Sequence, residues 1–220
     1  GQMEDQEKEL AFLTSALLIA VFLILLILVS QFNAFSSPVI ILSSVVLSLA
    51  GVFLGIVISR NDFVIIMTMI GIISLAGIVV NNAIVLVDYT NLIRKRKRKE
   101  LGLGTLDLIS NEDFKNAVIE GGRTRLRPVL LTAITTILGL FPLASGLNIN
   151  FFSLVSDWDP QIFFGGDNVI FFKPMSLAII YGLTFATFLT LVVVPIMYYT
   201  IYRFKIWLLN KFNWAVKIEL

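Results

Sequence analysis

Apolar residues run almost unbroken through five stretches of this chain, residues 10–29, 39–59, 63–93, 128–147 and 174–202. A helix needs about 20 consecutive apolar residues to cross the hydrocarbon core of a bilayer, and each stretch is that long. The pattern therefore predicts an all-α fold, a polytopic membrane helix bundle of five transmembrane helices. The third stretch is long enough to project beyond the bilayer. Pro38 opens the second helix, where its missing N–H costs nothing because first-turn N–H groups have no helical partner. Only Arg60-Asn61-Asp62 joins the second span to the third.

Two connecting segments carry patterns of their own. Residues 94–127 contain "SNEDFKNAVIEGG", where Phe114, Ala117 and Val118 recur at helical spacing after the capping-type Ser110 and Asn111. A short amphipathic helix on the membrane surface is the expectation. Residues 148–173 contain "QIFFGGDNVIFF", two short aromatic runs around Gly165-Gly166-Asp167. A small β-hairpin at the interface fits this stretch. So does an aromatic belt that only anchors.

Charge orients the spans. Ten of the 17 Lys and Arg residues lie in 94–127, and Arg203, Lys205, Lys211 and Lys217 follow the last span. Basic residues collect on the cytoplasmic side of short loops, so 94–127 and the tail 203–220 are expected inside. Residues 1–9 and the loop 148–173 are then outside; with the 60–62 turn they hold three basic residues and eight acidic ones. The first residues, Gly-Gln-Met, lead into an acidic stretch without a basic n-region, which suggests further chain upstream.

Composition sharpens this picture. The chain is 57% hydrophobic and 15% charged, with a mean hydropathy of +0.90, whereas a soluble domain is nearer half apolar and a quarter charged. Cysteine and histidine are absent. Disulfides, thiol redox chemistry, thiolate zinc sites and imidazole catalysis within these residues are thereby excluded. Asp157, Asp159 and Asp167 are the clustered acids of the outer loop, and they lack metal-ligand spacing. No metal, cofactor or enzymatic reaction is expected.

Small and polar positions suggest how the helices meet. Ser44, Ser48, Gly51 and Gly55 share one face of the second helix, and Ala178, Gly182, Ala186 and Thr190 share one face of the last. Such stripes let membrane helices approach closely. On the fourth helix Thr132, Thr135, Thr136 and Gly139 share a face. The third helix carries "GIVVNNAIVLVDY", in which Asn81 and Asp88 nearly eclipse each other and Asn82 sits to one side. Two readings are open: amide hydrogen bonds as interhelical glue, or the lining of an ion or proton path. A carboxamide holds no proton at ordinary pH, so a proton route past Asn81 takes its acid from another helix.

The segments "GIVVNNAIVLVDY", "EGGRTRLRPVLLTAITTILGLFPLA" and "FATFLTLVVVPIMY", in that order, resemble the C-terminal half of the transmembrane domain of a resistance-nodulation-division (RND) efflux transporter. The similarity is to the hydrophobe/amphiphile multidrug exporters of the acriflavine-resistance protein type, and it covers nearly the whole chain. "GQMEDQEKEL" resembles the end of the second periplasmic portion in that family, and the five helices match the last five of twelve. The resemblance implies a proton-driven antiporter of the bacterial inner membrane, trimeric when intact, working with a periplasmic adaptor and an outer-membrane channel. It places the family's relay lysine at Asn81, and its threonine and arginine at Thr132 and Arg125. A neutral amide at position 81 departs from the family pattern and puts the lysine-release form of the mechanism in doubt here. Asn82 and Asp88 complete the set of relay candidates.

The essential acid of that relay belongs to a helix outside these 220 residues. These residues alone are therefore expected to transport nothing. A membrane scaffold or assembly module, with its Asn and Thr faces as glue, is the alternative. "RKRKRK", residues 94–99, reads as a topology signal; attraction to anionic lipid is the other reading, and no nucleic acid is expected.

Overall fold

The computed structural model describes residues 2–32, 36–104, 109–150, 153, 155–156, 158–159 and 161–212. Expectations for the middle of the first turn (33–35), for Asp157 and for Lys217 in the tail lie outside the described residues. Five long helices organise the rest: α1 (Gln2–Phe32), α2 (Ser36–Ser59), α3 (Ile65–Glu100), α4 (Asn111–Ser145) and α5 (Asp167–Phe212). All five are long and apolar enough to cross a membrane, as their run lengths predicted.

The helices overrun the apolar stretches. α1 begins at Gln2, where Lys8 pairs with Glu4 at 2.8 Å across one turn. The amphipathic segment and the fourth span, expected as two pieces, form one helix through Pro128. Pro174 likewise lies inside α5, near its start. A proline forfeits one i→i−4 hydrogen bond, which a membrane helix tolerates when neighbouring groups or local adjustment satisfy the freed carbonyl. The segment before Pro128 stays helical because its N-terminal part is held. Ser110 caps it, accepting a hydrogen bond from the Glu112 N–H at 3.3 Å, and Phe114, Ala117 and Val118 are buried as their spacing predicted.

α3 forms the centre. Of its most apolar window 56% is buried, against 11% for α1 and 17% for α4. α5 packs on α2, α3 and α4, while α1 leans on α2 and α3. The outer face of α1 is mostly apolar: Phe12, Leu18, Phe22, Leu23, Leu26 and Ile27 are exposed, and the exposed Thr14 and Ser15 return their hydroxyls to carbonyls of their own helix. Such a face suits lipid.

The small-residue faces do pack, but not backbone to backbone. Gly51 lies beneath Phe185 and Gly55 beneath Tyr181, while Gly182 receives Leu75 and Val52. Ser44 and Ser48 are buried, and each hydroxyl donates to its own helix at 2.6 Å, to Ile41 and Val45. The glycines are thus sockets for large side chains. At Gly51 the obstruction includes the Phe185 Cβ, fixed to the backbone, whereas at Gly182 it is side-chain methyl groups, of Leu75 and Val52, that have some freedom to turn aside. Gly51→Ala is accordingly expected to destabilise the full-length protein by about 1–3 kcal/mol through overpacking. That outweighs the gain of roughly 1 kcal/mol that alanine brings to a helix. Gly182→Ala should cost less. Melting temperatures in one detergent check the order, and a larger loss at Gly182 would refute it.

A hairpin does form, though not between the two aromatic runs. β1 (Leu147–Asn148) and β2 (Phe163–Phe164) pair antiparallel, Leu147 opposite Phe164 and Asn148 opposite Phe163. The second run, from Asp167, is instead the first turns of α5. At a membrane boundary a helix satisfies its own backbone, while a strand there leaves an edge of unpaired groups.

Candidate functional site

α3 is enclosed by its neighbours except along one stripe. Ser74, Gly77, Asn81 and Asp88 are exposed, and at about 100° per residue they fall within roughly 60° of one another. Among the described residues, nothing beyond the backbone of its own helix lies within 4 Å of the point where a Cβ on Gly77 would stand. Beside this stripe α4 exposes Pro128, Thr132, Thr135 and Gly139 on a single face, and Gly139 is equally uncrowded. The contrast with α1 is chemical. Along α1 the exposed residues are mainly leucine, isoleucine and phenylalanine; here serine, glycine, asparagine, aspartate and threonine stand exposed, with Leu92 of α3 and Leu131, Ile134 and Leu138 of α4 beside them.

The floor between the two stripes is a polar contact. Asn82 is 7% exposed, and its Oδ1 accepts from the Thr132 hydroxyl at 3.4 Å. The same hydroxyl has a second acceptor, the Val129 carbonyl at 2.9 Å. It has one proton for two acceptors, so it can turn from its own helix towards α3. Thr135 and Thr136 donate to carbonyls of α4 instead. Asn82 lies 17 residues beyond Ile65, the start of α3, or about 25 Å at 1.5 Å per residue. That is past the middle of a hydrocarbon core about 30 Å thick.

The relay candidates therefore separate into three places. Asn82 and Thr132 meet. Asn81, where the resemblance would place a relay lysine, is exposed on the open stripe with Asp88. Arg125 is elsewhere, its guanidinium carbon 4.3 Å from the centre of the Tyr89 ring.

A second polar cluster, at the basic end, escaped the sequence reading. Arg94 is 2% exposed and donates through Nη1 to the Tyr198 hydroxyl at 3.2 Å. Tyr198 in turn donates to the Asn91 side-chain oxygen. Phe114 of α4 stacks on Tyr202 with ring centres 3.6 Å apart and on Tyr198 at 5.5 Å, and the Tyr202 hydroxyl donates to the Ile109 carbonyl at 2.8 Å. Arg94 sits about 120° around α3 from Asp88, so it is turned to α5 and not to the open stripe. Asn91 and Arg94 at i, i+3 and Tyr198 and Tyr202 at i, i+4 were the available signal.

Amides and hydroxyls can pass hydrogen bonds between charge states of a neighbour, but they do not store a proton. Among the described residues no three His, Cys, Asp or Glu side chains gather as a metal would need.

Known proteins are similar to this chain in sequence and in helical fold. The model of the AcrB/AcrD/AcrF family matches residues 1–148, from α1 into β1. The swarming motility protein SwrC of Bacillus subtilis (strain 168) is 37% identical over 205 residues, 93% of this chain and 16% of that protein. The cobalt-zinc-cadmium resistance protein CzcA of Cupriavidus metallidurans is 25% identical over 203 residues, 92% of this chain and 16% of its own length. A solved heavy metal efflux pump (crystal form II) superposes with a TM-score of 0.68 at 27% identity, covering 91% of this chain and 16% of that one. The chain thus spans only about a sixth of these relatives. With a family match over more than half its residues and a shared helical arrangement, the chain belongs to the AcrB/AcrD/AcrF family of RND efflux transporters and corresponds to a five-helix part of their membrane domain.

Proposed function

We propose that this chain is the C-terminal transmembrane half of a proton-driven exporter of hydrophobic and amphiphilic compounds, and that Asn81, Asn82 and Thr132 form its part of the proton relay. The observation that carries the reading is the open polar stripe of α3 and α4 above the Asn82–Thr132 contact. Polar groups at this depth do not face lipid without cost, and in membrane proteins they line pathways or meet partners. The partner is a helix of the other half bearing the acid that titrates. Asn81 and the Thr132 hydroxyl hydrogen-bond that acid in either protonation state, Asn82 steadies Thr132, and Asp88 with Arg125 lies towards the cytoplasmic exit. The work is transport and not catalysis.

Orientation follows from charge: the N-terminus and the 148–173 loop face the periplasm, and the 94–127 segment faces the cytoplasm of an inner membrane. The intact protein is a trimer that meets a periplasmic adaptor and an outer-membrane channel. The five helices alone move nothing.

The test is dye accumulation by everted vesicles under an imposed proton gradient, with the full-length protein carrying Asn81→Ala or Thr132→Ala. Each substitution is expected to slow accumulation severalfold at unchanged protein level. Unchanged rates in both return these residues to packing and favour the scaffold reading. A parallel measurement with cobalt, zinc and cadmium addresses the cargo: metal uptake without dye uptake would replace the amphiphile assignment.

A further inference from the structure

The hairpin and the first turns of α5 carry a surface that the relay does not use. Trp158 is 88% exposed, Phe164 73%, Ile170 74% and Phe171 61%, with Ile162 and Phe163 also exposed. Consecutive strand side chains point to opposite faces, yet Phe163 and Phe164 are both exposed. Neither face of β2 is covered by the described residues.

Its level relative to the bilayer is fixed by packing. Phe171 lines a groove with Lys8, Glu9, Phe12, Leu13, Ile66 and Met67. Between Glu9 and Phe12 α1 changes from charged to apolar, which marks the edge of the hydrocarbon. β2 is tied to that level: the Gly165 N–H donates to the Gly146 carbonyl at 2.9 Å. Val169 of α5 closes on Gly146, its Cγ1 3.0 Å from where a Cβ would stand. The aromatic surface is therefore continuous with the lipid-facing surface of the spans, at the height where aromatic belts sit in membrane proteins.

We propose that the β1–β2 hairpin and the Ile170–Phe171 turn are an interfacial anchor, inserted among the headgroups and upper acyl chains of the leaflet at the acidic end of the bundle. In the orientation proposed above this is the outer leaflet, although the depth of insertion does not depend on that orientation. The anchor is hydrophobic and not electrostatic. From Leu147 to Lys173 the one basic residue is Lys173, against Asp157, Asp159 and Asp167, so anionic headgroups have little to attract. The occupant is ordinary phospholipid.

Nitroxide labels at Phe164→Cys and Ile162→Cys, in a cysteine-free full-length protein reconstituted in phosphatidylcholine, test this. Both side chains are exposed, so the labels do not disturb a core. A label at Phe22 serves as the lipid reference and one at Arg96 as the aqueous reference. At both hairpin positions oxygen is expected to relax the label more than a water-soluble nickel complex does. The ratio should stay within about twofold when half the lipid is phosphatidylglycerol or when salt is raised, because screening acts on charges and not on apolar burial. Nickel dominance at both positions places the hairpin in water and overturns the proposal. Low accessibility to both reagents does so too, because another part of the transporter then covers it.

Discussion

Replacing Phe114 by alanine is expected to destabilise the full-length protein by about 3–5 kcal/mol, the usual range for removing a fully buried phenylalanine. Phe114 is 0% exposed, and its ring lies within 5° of parallel to Tyr202 and 7° to Tyr198. It is the contact by which the segment before Pro128 is fastened to α5. Pro128 already weakens the hydrogen-bond ladder between that segment and the span, so the segment's alignment depends on this contact together with Gly121 against Thr90 and Arg125 over Tyr89. The expected result is a lower melting temperature together with new trypsin cleavage at the exposed Lys115 or Arg123. Phe114→Leu keeps the apolar bulk and loses the stacking contribution, about 0.5–1.5 kcal/mol for an aromatic pair, so it should fall between the two. An alanine variant with unchanged melting and no new cleavage would mean the segment is held some other way.

Asn82→Leu is expected to reduce proton-coupled export by the full-length protein about tenfold or more, equivalent to roughly 1.4 kcal/mol, with little change in stability. Leucine keeps the branched outline of asparagine, with bulkier methyl ends, and is at home among the apolar neighbours of α3. What it removes is the acceptor for the Thr132 hydroxyl. As glue that contact is worth only about 0.5–2 kcal/mol, and the 2.9 Å bond to Val129 stands ready to take the proton. A structural role therefore predicts a small effect on both readouts, and a positioning role predicts a large effect on transport alone. Combining Asn82→Leu with Thr132→Ala sharpens the distinction. If the two act as one unit the double variant is no worse than the poorer single one; additive losses would deny the coupling.

Much of the fold was legible because the bilayer imposes a length. Five apolar runs became five helices, and Phe114, Ala117 and Val118 are buried as their spacing required. The hairpin was half legible: turn residues and aromatic runs announced strands, but not that β2 would pair with Leu147–Asn148 while the second run entered α5. A strand's partner is a long-range choice, and short aromatic runs suit a strand or a buried helix equally well. The prolines misled for a related reason. A proline marks a helix start when nothing holds the chain before it, and in α4 something does.

The sequence by itself determined that this chain crosses a membrane, how often, and that amides and hydroxyls lie at hydrocarbon depth, because each follows from the composition of a local run. Only the tertiary structure decided which amide does what. Asn81 and Asn82 are chemically identical and about 100° apart on one helix, so composition is silent between them. The placing of α4 turns Asn82 to Thr132 and leaves Asn81 on the uncovered stripe. Helix rotation is set by the sum of packing contacts around α3, from Gly71 against α5 to Gly121 against Thr90, and no single residue encodes it.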